Sequence, residues 1–362
     1  GYRVLDLSRV LAGPFCTMLL GDMGAEVIKI EQMAIGDPTR GWGPPFQNQR
    51  DGKKTSIYFQ SVNRNKKSVA LDFTKKEAQN ILHSLVEKSD ILVENYIPGG
   101  LAKHNLDYKS ISAINPNLIY CSITGYGQTG PSCKMPGYDL IAASQFGLLS
   151  ITGPSGGEPC RVGVAVSDLS TGLFAKSAIL GALVPRKGGN NEPKGCHIDV
   201  NLMSSQIAIN SHVAADYLNS GEVAGRIGTA HRNLVPYKAY MAADKKYLII
   251  GTGSDAQFEK LASILGHPEW AEDKRFCTNA KRVNNREKID AMIQRIVEQN
   301  PSDHWFRQLA NSGIPNGPVN SMPEVFRDPQ LQYHKDRLIL SWTPEEMNAE
   351  TGLKVPGKAI SL

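Results

Sequence analysis

Apolar positions along the first part of the chain fall in two alternating rhythms. Short, nearly unbroken runs at Tyr2–Leu7, Ala25–Glu31, Ser68–Phe73, Asp90–Asn95 and Asn117–Thr124 read as strands buried on both faces. Between them the spacing becomes helical. Phe15–Asp22 makes a short helix that stops near Gly24, and Pro14 suits a first helical position. Ala78, Ile81, Leu82, Leu85 and Val86 line one helix face behind a capping box at Thr74–Glu77. Repeated βαβ units predict a Rossmann-like, parallel, doubly wound α/β sheet. Such sheets receive ligands at the carboxyl ends of their strands.

A Gly/Pro-rich break at Thr152–Pro159 is followed by an apolar helix over Leu169–Leu183, a strand at Cys196–Val200 and a helix over Met203–Leu218. The pattern changes near Gly221. Pro236–Met241 and Lys246–Gly251 flank a polar turn at Asp244 and predict an antiparallel pair, with helices after it at Asp255–Leu265, Arg286–Gln299 and Asp303–Asn311. The organisation expected is a large domain over 1–220, a smaller inserted α+β domain over 225–320, and a segment over 321–362. In that last segment Arg337–Trp342 and Gly352–Pro356 would return a strand to the large domain.

Composition narrows the function classes. Of 362 residues, 41% are hydrophobic and 21% charged, which excludes disordered, collagenous and coiled-coil chains. Lys plus Arg is 40 against 35 Asp plus Glu, a net +5. That surplus is too thin for a nucleic-acid binder and suits a small anionic ligand. The six cysteines form no Cys-x-x-Cys pair and no His-Glu-x-x-His occurs, so no metal site is expected. Scattered cysteines read as reduced thiols of an intracellular protein. No apolar run reaches the roughly 18 residues of a membrane span, so no membrane partner is expected. The chain starts at Gly1 on a strand pattern, read as a start from which any targeting segment has been removed.

Several stretches carry chemistry beside a plain structural alternative. The turn Ser8–Pro14 lacks Gly-x-Gly-x-x-Gly, yet a tight turn at a helix N-terminus can hold phosphate or adenine through its backbone. Asn63–Lys67, with Arg40, Lys53 and Lys54, is the densest basic cluster: a phosphate or carboxylate site, or a solvated loop. Thr124–Pro131 brings three glycines to a strand end, where backbone can approach a ligand closely. Asp139 and Asp168 each precede a predicted helix. Each is an N-cap or, for Asp168 if shielded from water, a nucleophile. His231 has no partner at fixed spacing.

These stretches together resemble the family III CoA-transferases. The matching segments are residues 4–31, 36–46, 63–72, 94–101, 123–139, 163–173 and 313–330, in order along essentially the whole chain. The resemblance implies that Asp168 is the nucleophile and that Asp139 is its acidic neighbour. It implies CoA contacts at Leu11, Ala12, Leu71, Asp72, Asn95, Tyr96, Lys103, Tyr126, Gly137 and Tyr138. Arg40 is the expected substitute for an arginine that many relatives carry where this chain has Gln32. Arg64 and His231 are the expected contacts to the substrate's distal carboxylate.

The implied reaction moves CoA from succinyl-CoA to a dicarboxylic acid such as glutarate or hydroxymethylglutarate, through an aspartyl anhydride and an aspartyl-CoA thioester. CoA is then a substrate, with no permanently bound cofactor. An acyl-CoA racemase on the same fold and a non-catalytic acyl-CoA-binding protein are the alternatives. The family's racemases have His where this chain has Tyr138, and its formyl transferases have a glycine run that Gly228–Asn233 lacks. The resemblance further implies an interlocked homodimer and a mitochondrial location.

Overall fold

The computed structural model describes residues 1–187, 194–347 and 349–360. Six strands, β1 (Arg3–Asp6), β2 (Glu26–Glu31), β3 (Lys66–Ala70), β4 (Ile91–Glu94), β5 (Ile119–Thr124) and β6 (Cys196–Asn201), form one sheet in the order β3-β2-β1-β4-β5-β6. Every pairing in it is parallel. The order reverses between β1 and β4, which is the switch point where doubly wound sheets open a crevice.

The unbroken apolar runs have a simple physical cause: both faces are covered. Val4, Val27, Ile91, Val93 and Ile119 pack with Cys16, Leu20, Ala175 and Ile179, from helices α1 (Ala12–Asp22) and α4 (Val166–Leu183). The alternate positions Leu5, Ile30, Leu92 and Tyr120 pack on the opposite face with Leu82, Val86 and Ile111. These come from α2 (Lys76–Glu87) and the helix Tyr108–Ile114. Two helix layers on a parallel sheet leave no face for polar alternation.

Some local expectations need correction. The strand expected at Ser68–Phe73 is shifted to Lys66–Ala70, because its register runs Val27↔Lys66 to Glu31↔Ala70. The Thr74–Glu77 capping box does not form: Asp72 takes both the backbone N–H and the hydroxyl of Thr74, and Lys75 occupies the cap position. The helix expected over Met203–Leu218 is two helices, Leu202–Ile209 and Ser211–Ser220, broken where Ser211 has φ of 45°. The tail strands Ile339–Trp342 and Leu353–Pro356 pair with each other, so the tail makes its own ribbon and adds no strand to the large sheet.

The chain divides into two units. The first comprises Gly1–Ser150, Arg161–Ala224 and His334–Leu362. The second comprises Ile151–Cys160 and Gly225–Tyr333. The limit expected at 320 therefore moves to Tyr333, and the Gly/Pro-rich stretch joins the second unit, where Gly153 O accepts from Gly228 N. That unit holds an antiparallel sheet of Tyr237–Met241, Tyr247–Gly251 and Asn316–Pro318. Its own core includes Tyr240, Leu248, Phe258, Phe276, Ile293 and Trp305.

Candidate active site

The carboxyl ends of β1, β4 and β5 surround a cavity of roughly 240 Å³ in the first unit. Its walls include Arg9–Ala12 after β1, Asn95–Pro98 after β4, Thr124 and Gly125 at the end of β5, Cys133–Tyr138 except Lys134, and Asp168. Val10 has φ of 70°, a strained conformation for a β-branched residue. It is held there by its N–H, which donates to Asp37, and Asp37 is paired with buried Lys29. Two loops are tied together beside it. Arg9 N–H donates to Asn95 Oδ1, and Asn95 Nδ2 donates back to Arg9 O. Tyr96 N–H donates to Glu94, a buried carboxyl pushed up to about 7 mainly by desolvation.

Glycines allow the close approaches. A Cβ on Gly125 would stand 2.8 Å from the Gly137 Cα, so the Gly137–Tyr138 loop lies directly on the end of β5. A Cβ on Gly172 would stand 2.7 Å from Ala12 O, so α4 packs its first turns against the start of α1. Asp168, one turn earlier on α4, lines the same cavity as Leu11 and Ala12.

Asp168 is not an N-cap. The helix begins at Val166 after Ala165, which places Asp168 in the first turn. Capping comes from another helix. Asp139, first residue of α3 (Asp139–Gln145), accepts the N–H of Ser167 at 2.8 Å and of Asp168 at 3.3 Å. Among the described residues no hydrogen bond reaches the Asp168 carboxylate itself. Burial, and next the charge of Asp139, push its pKa up to about 7. A carboxylate raised this far is a better nucleophile and remains substantially ionised near neutral pH. Tyr58 is within electrostatic reach: burial first, then Asp168 and Asp139, raise its pKa.

The sequence-expected residues separate clearly. Leu11, Ala12, Asn95, Tyr96, Gly137, Tyr138 and Asp168 share the cavity. Leu71 and Asp72 line a second cavity of roughly 190 Å³, with Gln32, Phe73, and the Arg9 and Tyr96 of the first. Tyr126 is buried off the cavity wall and donates its hydroxyl to Gln145. Lys103 is exposed in the turn Ala102–His104, outside both cavities.

Arg64 does not await a substrate. It is 8% exposed, its guanidinium donates twice to Asp22, and it also donates to the carbonyls of Pro356 and Gly357. Arg40 makes a two-pronged pair with Glu31 and stacks on Phe59, so it is committed inside the fold and lines neither cavity. His231 belongs to the second unit, stacked on Tyr237 with Nδ1 accepting from Asn233 N–H. Sequence reasoning missed Arg9, Glu94 and Tyr58. The signal available for Arg9 was its place directly behind β1. Glu94 and Tyr58 had none, because the burial of Glu94 and the approach of Tyr58 to Asp168 and Asp139 arise only in the folded chain. Among the described residues no group of three or more His, Cys, Asp or Glu side chains could hold a metal ion, and no helix is long and apolar enough to cross a membrane.

The doubly wound sheet thus carries at its switch point a carboxylate that, among the described residues, receives no hydrogen bond, an arrangement chemically able to act as a nucleophile. The chain belongs to CoA-transferase family III, whose sequence profile matches residues 1–356, and is accordingly a CoA-transferase. It is 46% identical over 362 residues to the mouse succinyl-CoA:glutarate CoA-transferase, covering 99% of this chain and 79% of that protein. It is 41% identical over 359 residues to the succinate–glutarate CoA-transferase of Agrobacterium fabrum, covering 99% and 87%. A CAIB/BAIF family protein from Brucella suis, solved by crystallography, superposes with a TM-score of 0.85 at 39% identity, covering 100% of this chain and 92% of that one.

Proposed function

We propose that this chain transfers CoA from succinyl-CoA to glutarate or a dicarboxylic acid of similar size, with Asp168 as the covalent carrier. The observation that supports the reading is the Asp168 carboxylate on the wall of the switch-point cavity: Asp139 accepts the backbone N–H of Asp168, and among the described residues no hydrogen bond reaches the carboxylate itself. An Asp168 oxygen attacks the thioester carbonyl and CoA leaves as thiolate, giving a mixed anhydride. The thiolate then attacks the Asp168 carbonyl and releases succinate, which departs with that Asp168 oxygen. The acceptor carboxylate attacks the resulting aspartyl-CoA thioester, and the thiolate takes up the new acyl group. Asp168 is left with one oxygen from the acceptor. Backbone N–H groups of Leu11 and Ala12 at the start of α1 are the proposed oxyanion donors. The apolar side chains of Val10, Leu11, Ile97 and Met135 on the cavity wall are proposed to limit, once substrate covers them, the access of water that would hydrolyse the anhydride.

Leu11, Ala12, Asn95, Tyr96, Gly137 and Tyr138 are proposed to hold the CoA arm, and Leu71 with Asp72 its nucleoside. The chain is proposed to work as a homodimer. Leu140, Ile141, Leu173, Phe174, Ile207 and Leu218 in the first unit are each at least 43% exposed, and these apolar side chains are proposed to be covered by the second copy. The proposed compartment is mitochondrial, as the resemblance implies, and subcellular fractionation tests it. The decisive assay is exchange of labelled succinate into succinyl-CoA. Asp168→Ala abolishes it on this reading, and near-normal exchange overturns the reading. Deuterium uptake at the α-carbon without an acceptor acid would instead favour racemisation.

A further inference from the structure

We infer that Arg9 is the contact for the pyrophosphate of the CoA substrate, bridging the two cavities. The inference rests on the reading that a CoA thioester occupies them. Four other basic residues of this unit already have carboxylate partners within the protein. Lys29 pairs with Asp37, Arg40 with Glu31, Arg64 with Asp22 and Lys66 with Asp6. Arg9 differs. Its Nε is buried without a hydrogen-bond partner, and among the described residues its guanidinium makes no hydrogen bond or ion pair. Its backbone is clamped on both sides by Asn95. Its guanidinium stacks 4.4 Å over the Tyr96 ring, which leaves the donor edge of the fork available in its plane.

A buried Nε–H with no acceptor is costly, and the two Nη groups of the same half-buried fork open on the cavity where an anion could meet them. The location selects the anion. Arg9 and Tyr96 line both the cavity that holds Asp168 and the one that holds Leu71, Asp72 and Gln32. A CoA thioester reacts at one end and carries adenosine at the other, with the pyrophosphate between. An arginine shared by the two cavities meets that middle segment, and a planar fork suits two phosphate oxygens.

The test compares succinyl-CoA with succinyl-pantetheine, which has no phosphate and no nucleoside, as donors for glutarate. In the intact enzyme kcat/KM for succinyl-CoA exceeds that for the pantetheine ester. Arg9→Gln lowers that ratio about ten- to a hundredfold, the loss expected for charge-assisted hydrogen bonds. Arg9→Lys restores part of it, since the charge remains while the fork is lost. Succinyl-4′-phosphopantetheine, with one phosphate, gives an intermediate ratio. Lys67→Gln, which removes an exposed partner of Glu26, leaves the ratio unchanged. If Arg9→Gln lowers both donors equally, Arg9 only supports the fold and the inference fails while the CoA reading stands. If the intact enzyme does not distinguish the donors, the CoA reading and the inference fail together.

Discussion

Two regions of the first unit carry charge at the edge of the same sheet, and they use it in opposite ways. Across β1, β2 and the start of β3 the buried charges Asp6, Lys29, Glu31 and Lys66 are all partnered. Asp6 accepts from Ser8, Thr17 and Lys66 and is held down at about 2, its ionic partners outweighing the large cost of burial. Lys66 is brought down to about 8 by that same burial. Glu31 binds Arg40, Ser68 and the Asp37 N–H, and is also held at about 2. On the wall of the switch-point cavity two groups are left unsatisfied: among the described residues the Asp168 carboxylate and the Arg9 guanidinium have no hydrogen-bond partner, and Val10 beside them is strained. Saturated ions hold a backbone in place, and unsatisfied ones wait for a ligand. Charge density along the sequence does not distinguish the two conditions.

The sharpest break between the regions is kinetic. Asp168→Asn removes the nucleophile while keeping the shape, and CoA transfer falls by about a thousandfold or more. Its stability changes the other way. A carboxyl raised from 3.8 to about 7 binds its proton more tightly in the folded protein, so it costs stability increasingly as pH rises from about 4 to 7. Asp168→Asn is therefore more resistant to urea than the parent at pH 8, and the difference shrinks toward pH 4.

Arg64 gives the converse result. Its partner Asp22 is 93% shielded, so Arg64→Ala strands a buried charge and costs about 3–5 kcal/mol in denaturant unfolding. The KM for glutarate, measured on the folded fraction, stays within about twofold; a selective rise would return Arg64 to the substrate site.

A smaller effect separates Asp139's two contributions, charge and capping. Asp139→Asn keeps an oxygen for the Ser167 and Asp168 N–H groups but removes the repulsion that helps raise Asp168. Transfer in the parent rises with pH through about 7, as Asp168 ionises. In Asp139→Asn that rise moves to lower pH, read from the kcat/KM profile. An unmoved profile assigns it to another group, of which Glu94 at about 7 is the candidate. The smallest effect belongs to the surface: Lys67→Gln leaves the unfolding midpoint and both KM values unchanged, because its side chain is 71% exposed.

The strands were legible because burial on both faces writes an unbroken apolar run, as at Ile91–Glu94 and Ile119–Thr124. Asp168 was legible as a candidate by its place before an apolar helix. What could not be read was which groups meet. Asp22 lies 42 residues from Arg64, and Asp139 lies 28 from the Ser167 amide it caps. A basic run at 63–67 looks the same whether its partners are a ligand or the protein's own carboxylates. Arg9 stood in plain view, but its lack of a partner is a property of the folded chain alone.

The central claim is that Asp168 passes through covalent linkage to both acyl groups and to CoA. Turnover with succinyl-CoA and glutarate labelled with heavy oxygen in its carboxylates, followed by digestion and mass spectrometry, tests it directly. The account predicts heavy oxygen in the peptide containing Asp168, at that side chain, and none without succinyl-CoA. Full CoA transfer with no label at Asp168 would contradict it.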